Sequence, residues 1–345
     1  MVDDRGAVGV DAERISRWLT TLGIRFAAPL RFQRIGLGQS NLTYRVIDTA
    51  GHSWVLRRPP LGQLLNSAHD VAREARIMAA LANTDVPVPR ILGVTADSEF
   101  SAAPLVLMEF VDGLVIDNME VAEALTPQQR RQIALSLPHT LATIHAVDLS
   151  AAGLRDLASH KPYAQRQLKR WAAQWQSSNT RKFPELDDLT GRLLAAAPEH
   201  RETCLVHGDF HLRNVIASRE TGAVTATLDW ELATLGDPLA DVGTMLAYWP
   251  EPGETTGDAF APSTLQGFPD RAEMARLYLD ETGRDPTALQ FWHALGLWKL
   301  AIIAEGVMRR AMDEPDNKAA AGTPTIEEID SLVRRGHQIA DSQST

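Results

Sequence analysis

The sequence is poor in cysteine, with Cys204 as the single example among 345 residues. One cysteine cannot form an intramolecular disulfide or a thiolate metal cluster, which excludes both as elements of the fold. The apolar character of residues 203–206 predicts that Cys204 is a small buried core residue.

Net positive charge is also absent, because 44 acidic residues outnumber 34 lysines and arginines and give a formal charge of −10. Such an acidic chain disfavours a broad contact with a nucleic-acid backbone, so we expect no nucleic-acid partner. A single nucleotide is still compatible with this charge, because a metal ion and a few cationic side chains can neutralise its phosphates.

Long apolar runs are missing as well. The most apolar late segment, residues 295–307, contains Lys299 and Glu305 and is too short to span a bilayer. The first residues lack a basic stretch followed by an apolar one, which argues against a signal peptide. We therefore expect a cytoplasmic protein without a membrane partner.

The chain does contain an ordinary globular balance, with 44% hydrophobic and 23% charged residues, over a length that favours two lobes. In residues 1–111, the apolar pattern predicts helices at residues 11–21 and 69–81. Five short strands are predicted at residues 30–35, 42–47, 53–57, 90–94 and 105–110. These elements predict a small lobe with a five-stranded sheet.

From residue 112 to residue 345 the pattern is mostly helical. Helices are predicted at residues 127–145, 163–176, 186–197, 271–280, 288–312 and 326–338. Residues 214–217 and 224–228 are the exception, because they predict a β-hairpin joined by a turn. The chain as a whole is therefore predicted to be an α+β, bilobal protein, and ligands of such proteins tend to bind between the lobes.

The clearest chemical pattern is formed by His207, Asp209, Asn214 and Asp229. The first three have the spacing of the kinase catalytic loop, His-x-Asp-x-x-x-x-Asn, and Asp229 follows the predicted hairpin. Asn214 is predicted to begin one strand and Asp229 to end the returning strand, so their side chains would converge. Mg²⁺ prefers such oxygen ligands, which suits Asn214 and Asp229, whereas Asp209 would accept or orient the proton of an attacking hydroxyl.

Two segments of the sequence resemble the aminoglycoside phosphotransferase family, which includes choline and homoserine kinase relatives. They are residues 207–214, His-Gly-Asp-Phe-His-Leu-Arg-Asn, and residues 228–241, Leu-Asp-Trp-Glu-Leu-Ala-Thr-Leu-Gly-Asp-Pro-Leu-Ala-Asp. The resemblance implies a bilobal protein-kinase-like fold with a nucleotide-binding lobe at residues 1–111 and a larger, mostly helical acceptor lobe at residues 112–345. It implies ATP, with GTP as the alternative, and Mg²⁺. It also implies Asp209 as catalytic base and Asn214 and Asp229 as magnesium ligands.

The upstream half of the sequence agrees with this resemblance. A glycine-containing segment lies between two predicted strands, where a loop that covers the phosphates is expected. Gly36 and Gly38 would allow close approach of the backbone, and Gln39, Ser40 and Asn41 would offer hydrogen-bond donors. We therefore assign these five residues to nucleotide binding.

The resemblance also places Glu74 as the helix carboxylate that pairs with a strand cation, and the backbone of Glu109 and Val111 at the hinge that contacts adenine. One departure concerns that cation, because Arg57 occupies the position where the family usually has a lysine. Arginine is a planar, permanently charged fork rather than a point charge. Arg57 could still bridge Glu74 and phosphate, so we expect activity.

The sequence leaves the small-molecule hydroxyl acceptor and the oligomeric state open. Two short segments are similar to those of one family branch, which is related to the kinase-like domains that accompany acyl-CoA dehydrogenases. They are Leu-Arg-Arg-Pro-Pro at residues 56–60 and Gln-Ser-Asn at residues 39–41. That similarity favours an acyl or hydroxy-acid metabolite over an antibiotic. Glu251 and Glu254 could attract a cationic acceptor, or could form a solvated loop.

Four further polar residues have expected roles near the motif. Asp241 is expected to cap the following helix, and Asp237 to brace the catalytic loop. His145 is expected to be a core residue with satisfied hydrogen bonds, and His211 could lie near the transferred phosphate.

Three other classes of protein are alternatives to a small-molecule kinase. A protein kinase would need a long activation segment, but only seven residues separate Asp229 from Asp237. A nucleotide-binding pseudokinase is suggested by Arg57. A metal-dependent phosphoesterase would use as ligands His207, Asp209, His211 and Asp229.

Overall fold

The computed structural model describes residues 8–36, 41–60, 70–157, 161–313 and 322–342. The predicted loop residues Gly38, Gln39 and Ser40 lie outside this described part. The chain divides into two units. The first unit comprises residues 1–83, 88–112 and 229–231, and the second comprises residues 84–87, 113–228 and 232–345.

The first unit contains the five-stranded sheet that the apolar pattern predicts. Its strands are β1 (Arg31–Ile35), β2 (Leu42–Ile47), β3 (Ser53–Arg58), β4 (Ile91–Thr95) and β5 (Leu105–Glu109). All neighbouring strands are antiparallel and lie in the order β1-β2-β3-β5-β4. A short turn joins β2 to β3, which explains why the local pattern located these two strands well.

Helix α1 (Ala12–Thr21) covers this sheet, and helix α2 (Val71–Leu81) follows β3. Asp11 caps α1 because its carboxylate accepts the N–H groups of Glu13 and Arg14. Ile15, Trp18 and Leu19 recur at helical spacing and belong to the same buried cluster as sheet residues of β2, β3 and β5. Burying each such side chain contributes about 1.5–3 kcal/mol.

The second unit is mostly helical. Its α-helices are α3 (Met119–Glu123), α4 (Pro127–His145), α5 (Tyr163–Ser178), α6 (Pro184–Ala195), α7 (Pro238–Ala247), α8 (Arg271–Thr282), α9 (Leu289–Asp313) and α10 (Ile326–Asp341). The sequence pattern located six of these but not α3 or α7. All ten residues of α7 are buried, so this helix has no polar face and no period of 3.6 to detect.

Two small antiparallel ladders complete the second unit. Strand β6 (Cys204–Val206) pairs with β9 (Thr234–Gly236), and β7 (Val215–Ala217) pairs with β8 (Val224–Thr227). The β7–β8 hairpin was predicted, but with longer strands. Asn214 ends a 3₁₀ turn before β7, and Asp229 lies two residues beyond β8, so neither belongs to a strand.

The α9 helix is the longest element, with 25 residues. Two charged side chains within it, Lys299 and Glu305, are buried. Within the described part of the chain, no helix is both long and apolar enough to cross a membrane.

Candidate active site

The catalytic motif begins where β6 ends. Gly208 has φ +83°, a backbone conformation that side-chain-bearing residues rarely adopt. A Cβ atom at this position would lie 2.6 Å from the carbonyl oxygen of Leu232. Glycine is therefore required here both by the backbone conformation and by the close approach of Leu232.

Asp241 holds this loop from α7. Its carboxylate is buried and accepts the backbone N–H of His207 at 2.6 Å and that of Gly208 at 2.8 Å. His145 Nε2 lies 3.2 Å from the same carboxylate, and His145 Nδ1 lies 2.6 Å from the Tyr278 hydroxyl. Burial raises the pKa of Asp241, but His145, His207 and the Gly208 N–H together bring it below its ordinary value.

These contacts reverse two predicted roles. Asp237, expected to brace the loop, instead caps α7 by accepting the N–H of Leu239 at 2.9 Å. Asp241, expected to cap that helix, lies within its first turn and points its carboxylate at the catalytic loop. The assignments were wrong because each aspartate can cap a helix, and spacing alone does not show which one precedes the first turn. His145 is a buried residue with both ring nitrogens engaged, as expected.

Asp209 is placed by the same loop. Its Oδ2 lies 3.5 Å from Nε2 of His211 and 3.4 Å from Nδ2 of Asn214. Its Oδ1 is buried and accepts no hydrogen bond from the part of the chain that the structure describes. Burial raises the pKa of Asp209, yet His211, Lys299 and His207 outweigh it and hold the pKa well below its ordinary value. These neighbours therefore favour the charged form of Asp209, and its Oδ1 keeps its capacity to accept a hydrogen bond.

Asn214 is fixed beside Asp209 by its amide nitrogen. Nδ2 donates to the backbone carbonyl oxygen of Asp209 at 2.9 Å. The amide oxygen is therefore the atom of this side chain that could ligate a cation. The backbone carbonyl of Asn214 accepts the N–H of Leu228 at 2.8 Å, and Leu228 immediately precedes Asp229 in sequence.

In the first unit, Arg57 joins two acidic residues. Its Nε lies 2.9 Å from Glu74 Oε2, and its Nη2 lies 2.7 Å from Asp229 Oδ1. The other carboxylate oxygen of Glu74 accepts the backbone N–H of Trp230 at 3.2 Å. The side chains of Arg57 and Glu74 are 15% and 3% exposed, whereas that of Asp229 is 33% exposed.

The pKa values of Arg57 and Glu74 depend on each other and on the charge of Asp229. Burial lowers the pKa of Arg57, but Glu74 and Asp229 outweigh it and raise the pKa above its ordinary value. Burial raises the pKa of Glu74, which Arg57 opposes and Asp229 reinforces. Arginine therefore fulfils the predicted role of partner to Glu74, and its fork geometry lets it contact Asp229 at the same time.

Asp229 is also unusual in its backbone, because its φ is +65°. Among the described residues, no other residue besides glycine has a positive φ. This conformation costs a non-glycine residue about 1–2 kcal/mol. Such strain is concentrated at functional sites, where the surrounding structure enforces it.

The remaining nucleotide-binding candidates all belong to the first unit. Gly36 has φ +77°, and no atom of the described residues lies within 4 Å of a Cβ built there, whereas Asn41 is buried. The backbone N–H of Glu109 donates to the carbonyl oxygen of Arg90 at 2.9 Å. Val111 is partly exposed after β5.

An aromatic and cationic group lies beside Asp209 in the second unit, and of its members only His211 was predicted to lie near the site. The ring of His211 lies 4.2 Å from that of Tyr248, and Tyr248 lies 5.3 Å from Phe260. The guanidinium of Arg213 lies over Phe260 at 4.8 Å and has no carboxylate within 4 Å among the described residues. The signal available in the sequence was Arg213 itself, a charged residue inside the catalytic motif.

The two glutamates proposed to attract a cationic acceptor are already paired. Arg271 lies 2.9 Å from Glu251 and forms a second ion pair with Glu254. Arg335 lies 3.2 Å from Glu254 as well. Their charge is therefore neutralised within the second unit.

The histidines of the motif bear on the phosphoesterase alternative. His207 Nδ1 accepts the N–H of Asp209 at 3.3 Å, and Nε2 lies 2.9 Å from the carbonyl oxygen of Leu228, to which it donates. His211 Nδ1 accepts the N–H of Arg213 at 3.3 Å, while Nε2 faces Asp209. Because three of the four ring nitrogens have hydrogen-bond partners and the fourth faces Asp209, the geometry disfavours these histidines as metal ligands.

Comparison with protein families identifies the class of this protein. Residues 31–277, which are 247 of the 345 residues, match the model of the APH phosphotransferase enzyme family. The chain therefore belongs to this family, as its motifs predicted. Its α+β architecture is the kinase-like phosphotransferase fold.

Two curated relatives refine this placement. The chain is 35% identical over 322 residues to acyl-CoA dehydrogenase family member 10 of Mus musculus, covering 92% of this chain and 30% of the relative. It is 31% identical over 333 residues to acyl-CoA dehydrogenase family member 11 of Rattus norvegicus, covering 94% and 42%. The chain thus spans about a third to two fifths of the length of these curated relatives.

Solved structures share the fold over almost their full length. A Ralstonia eutropha protein provisionally named an aminoglycoside phosphotransferase is 31% identical, with a TM-score of 0.75 and coverage of 96% of this chain and 98% of that one. The aminoglycoside phosphotransferase APH(4)-Ia, solved with ADP and hygromycin B, is 16% identical, with a TM-score of 0.62 and coverage of 96% and 98%. The second likeness shows the fold alone.

Proposed function

We propose that this protein transfers the γ-phosphate of ATP to a hydroxyl group of a small molecule, with magnesium and with Asp209 as catalytic base. The observation that carries the proposal is the placement of Asp209, whose Oδ2 lies beside His211 and Asn214 and whose buried Oδ1 accepts no hydrogen bond from the described part of the chain. Membership of the phosphotransferase family supports the reaction class. The cytoplasmic location expected from the sequence belongs to the same proposal.

In the proposed reaction, the acceptor hydroxyl oxygen forms a bond to the γ-phosphorus. The bond from that phosphorus to the oxygen bridging the β- and γ-phosphates breaks, and ADP leaves. Asp209 Oδ1 receives the hydroxyl proton. Because His211 and Asn214 hold the other oxygen, Oδ2, the carboxylate is oriented before the acceptor binds.

The residues of each unit suit a nucleotide and a divalent cation. Arg57 is the cation that would contact phosphate, and its contact with Glu74 fixes its position. The exposed part of Asp229 and the amide oxygen of Asn214 are the hard oxygen ligands that would hold Mg²⁺. Bound magnesium would neutralise charge on the phosphates. The ADP complex of the structural neighbour supports a nucleotide ligand.

For the acceptor, we propose an alcohol that bears a carboxylate or acyl group rather than a polycation. The paired glutamates 251 and 254 offer no unneutralised negative charge, whereas Arg213 is a cation that lies over Phe260 and whose charge Asp209 favours. Two relatives of this chain are named acyl-CoA dehydrogenase family members, which supports the same acceptor class.

A coupled assay of ADP release tests this proposal. The purified protein would be given Mg²⁺-ATP with amino sugars, choline-like alcohols, neutral sugars and hydroxyacyl compounds in turn. We expect acceptor-dependent ADP release with at least one hydroxyacyl compound. ADP release unchanged in Asp209→Asn would refute the catalytic assignment, and Mg²⁺-ATP binding unchanged in Asp229→Ala would refute the metal assignment. Phosphate release from a monoester without ATP would instead favour the phosphoesterase.

A further inference from the structure

Lys299 is a buried cation that the proposed reaction does not use. It lies in the middle of α9 and is 6% exposed, with apolar neighbours on both sides in sequence. Removing an ammonium group from water is costly unless the protein supplies partners for it. A lysine at such a position therefore needs a structural or functional reason.

The partners of Lys299 belong to the catalytic loop and to α5. Its ammonium donates a hydrogen bond to the backbone carbonyl oxygen of Gly208. It also lies 5.3 Å from the centre of the Trp171 ring, a cation–π distance. No carboxylate lies within 4 Å of it among the described residues, although Asp209 and Asp241 are near enough to favour its charge.

The structure therefore gives Gly208 two charged partners from two helices. Asp241 of α7 accepts its N–H, and Lys299 of α9 donates to its carbonyl oxygen. These bonds fix the peptide planes on either side of a residue that has the backbone freedom of glycine. The second of these planes is the peptide between Gly208 and Asp209, so its orientation sets the position of the Asp209 side chain.

We propose that Lys299 is a positioning residue for the catalytic base, which locks the Gly208–Asp209 peptide so that the Asp209 carboxylate is presented in one orientation. This inference rests on the proposed function for its effect on the reaction. Its structural part, the fixed loop, does not depend on turnover. Lys299 touches neither acceptor nor nucleotide in this account.

Three substitutions separate the hydrogen bond from simple packing. Lys299→Met removes the donor at nearly the same length. Lys299→Gln keeps a donor that ends one bond short of the ammonium position. Lys299→Arg keeps both charge and reach. The matched control is Trp298→Phe at the adjacent buried residue of α9, which loses a hydrogen bond from Nε1 to Thr190 of α6 rather than one to the loop.

Two readouts are needed, and the first does not require turnover. Hydrogen–deuterium exchange of residues 205–213 reports opening of the loop, and thermal unfolding reports global stability. We expect loop exchange to rise about tenfold or more in Lys299→Met and less in Lys299→Gln. In Trp298→Phe, we expect a lower unfolding temperature with unchanged loop exchange. Loop exchange in Lys299→Met that merely matches Trp298→Phe at equal stability would overturn the inference.

The second readout is the separation of kcat from KM. A misplaced base costs up to about 100-fold in rate, so we expect kcat of Lys299→Met to fall about 30- to 100-fold while the KM for ATP stays within about threefold. Lys299→Arg should recover kcat to within about fivefold. A Lys299→Arg variant as impaired as Lys299→Gln would contradict the role of the donor. If Lys299→Met does not fold, Lys299→Gln with wild-type kcat and loop exchange would overturn the proposal.

Failure of the proposed function can be told apart from failure of this inference. A wild-type protein without ATP-dependent turnover on any acceptor would refute the function, whereas the exchange measurement would still show whether Lys299 holds the loop. Normal turnover with a Lys299→Met variant that resembles the control would refute the inference alone.

Discussion

Replacing Gly208 by alanine should damage both the stability and the activity of this protein. The positive φ costs a residue with a Cβ atom about 1–2 kcal/mol. The added methyl group would lie 2.6 Å from the carbonyl oxygen of Leu232 and 3.1 Å from its carbonyl carbon. Such overpacking against backbone costs about 1–3 kcal/mol more, so Gly208→Ala should lose about 2–5 kcal/mol of unfolding free energy.

Gly283→Ala is the matched control. Gly283 ends α8 with φ +65°, but no atom of the described residues lies within 4 Å of a Cβ built there. This substitution therefore measures the cost of the backbone conformation without the contact. We expect it to lose about 1 kcal/mol and to leave kcat unchanged.

Urea unfolding and steady-state kinetics of both variants provide the assay. Because the loop can relieve the contact only by moving, and Asp209 follows immediately, kcat of Gly208→Ala should fall about 100-fold in the folded fraction. Equal losses of unfolding free energy in the two variants, together with normal kcat in Gly208→Ala, would refute the reasoning.

Two other predictions concern charge. Arg57→Met leaves Glu74 and Asp229 without the cation between them, so the KM for ATP should rise at least about tenfold. Arg57→Lys should keep the KM for ATP within about threefold of the wild-type value. A wild-type KM in Arg57→Met would contradict the role of Arg57. Burial and neighbouring arginines lower the pKa of His293 to about 3. The unfolded chain therefore binds an extra proton below pH 6.5, and stability falls as the pH drops through that value. His293→Phe should remove about 2 kcal/mol of the loss between pH 7.5 and pH 5 in urea unfolding, and an unchanged pH dependence would contradict this assignment.

The sequence predicted those parts of the fold in which local pattern and structure coincide. The strand at residues 42–47 and the helix at residues 127–145 were predicted with their observed bounds, because a short turn follows the strand and an N-terminal cap precedes the helix. The pair β6–β9 was missed, since three-residue strands 27 residues apart leave no local period. Helix α7 was missed because it is buried on every side.

The candidate site divides in the same way. Fixed spacing predicted that Asp209 and Asn214 lie together, and their side chains are 3.4 Å apart, because both belong to one loop of eight residues. Asp241 and Lys299 reach that loop from distant helices, and their partners are backbone groups, which carry no side-chain signal in a sequence. The contact between Arg57 and Asp229 likewise joins residues 172 positions apart.

The central claim is that Asp209 deprotonates an acceptor hydroxyl during phosphoryl transfer from ATP. The most direct test is to follow the γ-phosphate of labelled ATP into the acceptor found in the ADP-release screen, with wild-type protein and Asp209→Asn side by side. The account predicts a phosphorylated acceptor formed in equal amount to ADP by the wild type, and a rate at least about 10³-fold lower in Asp209→Asn despite unchanged ATP binding. Transfer at the wild-type rate by Asp209→Asn, or label released only as inorganic phosphate, would contradict it.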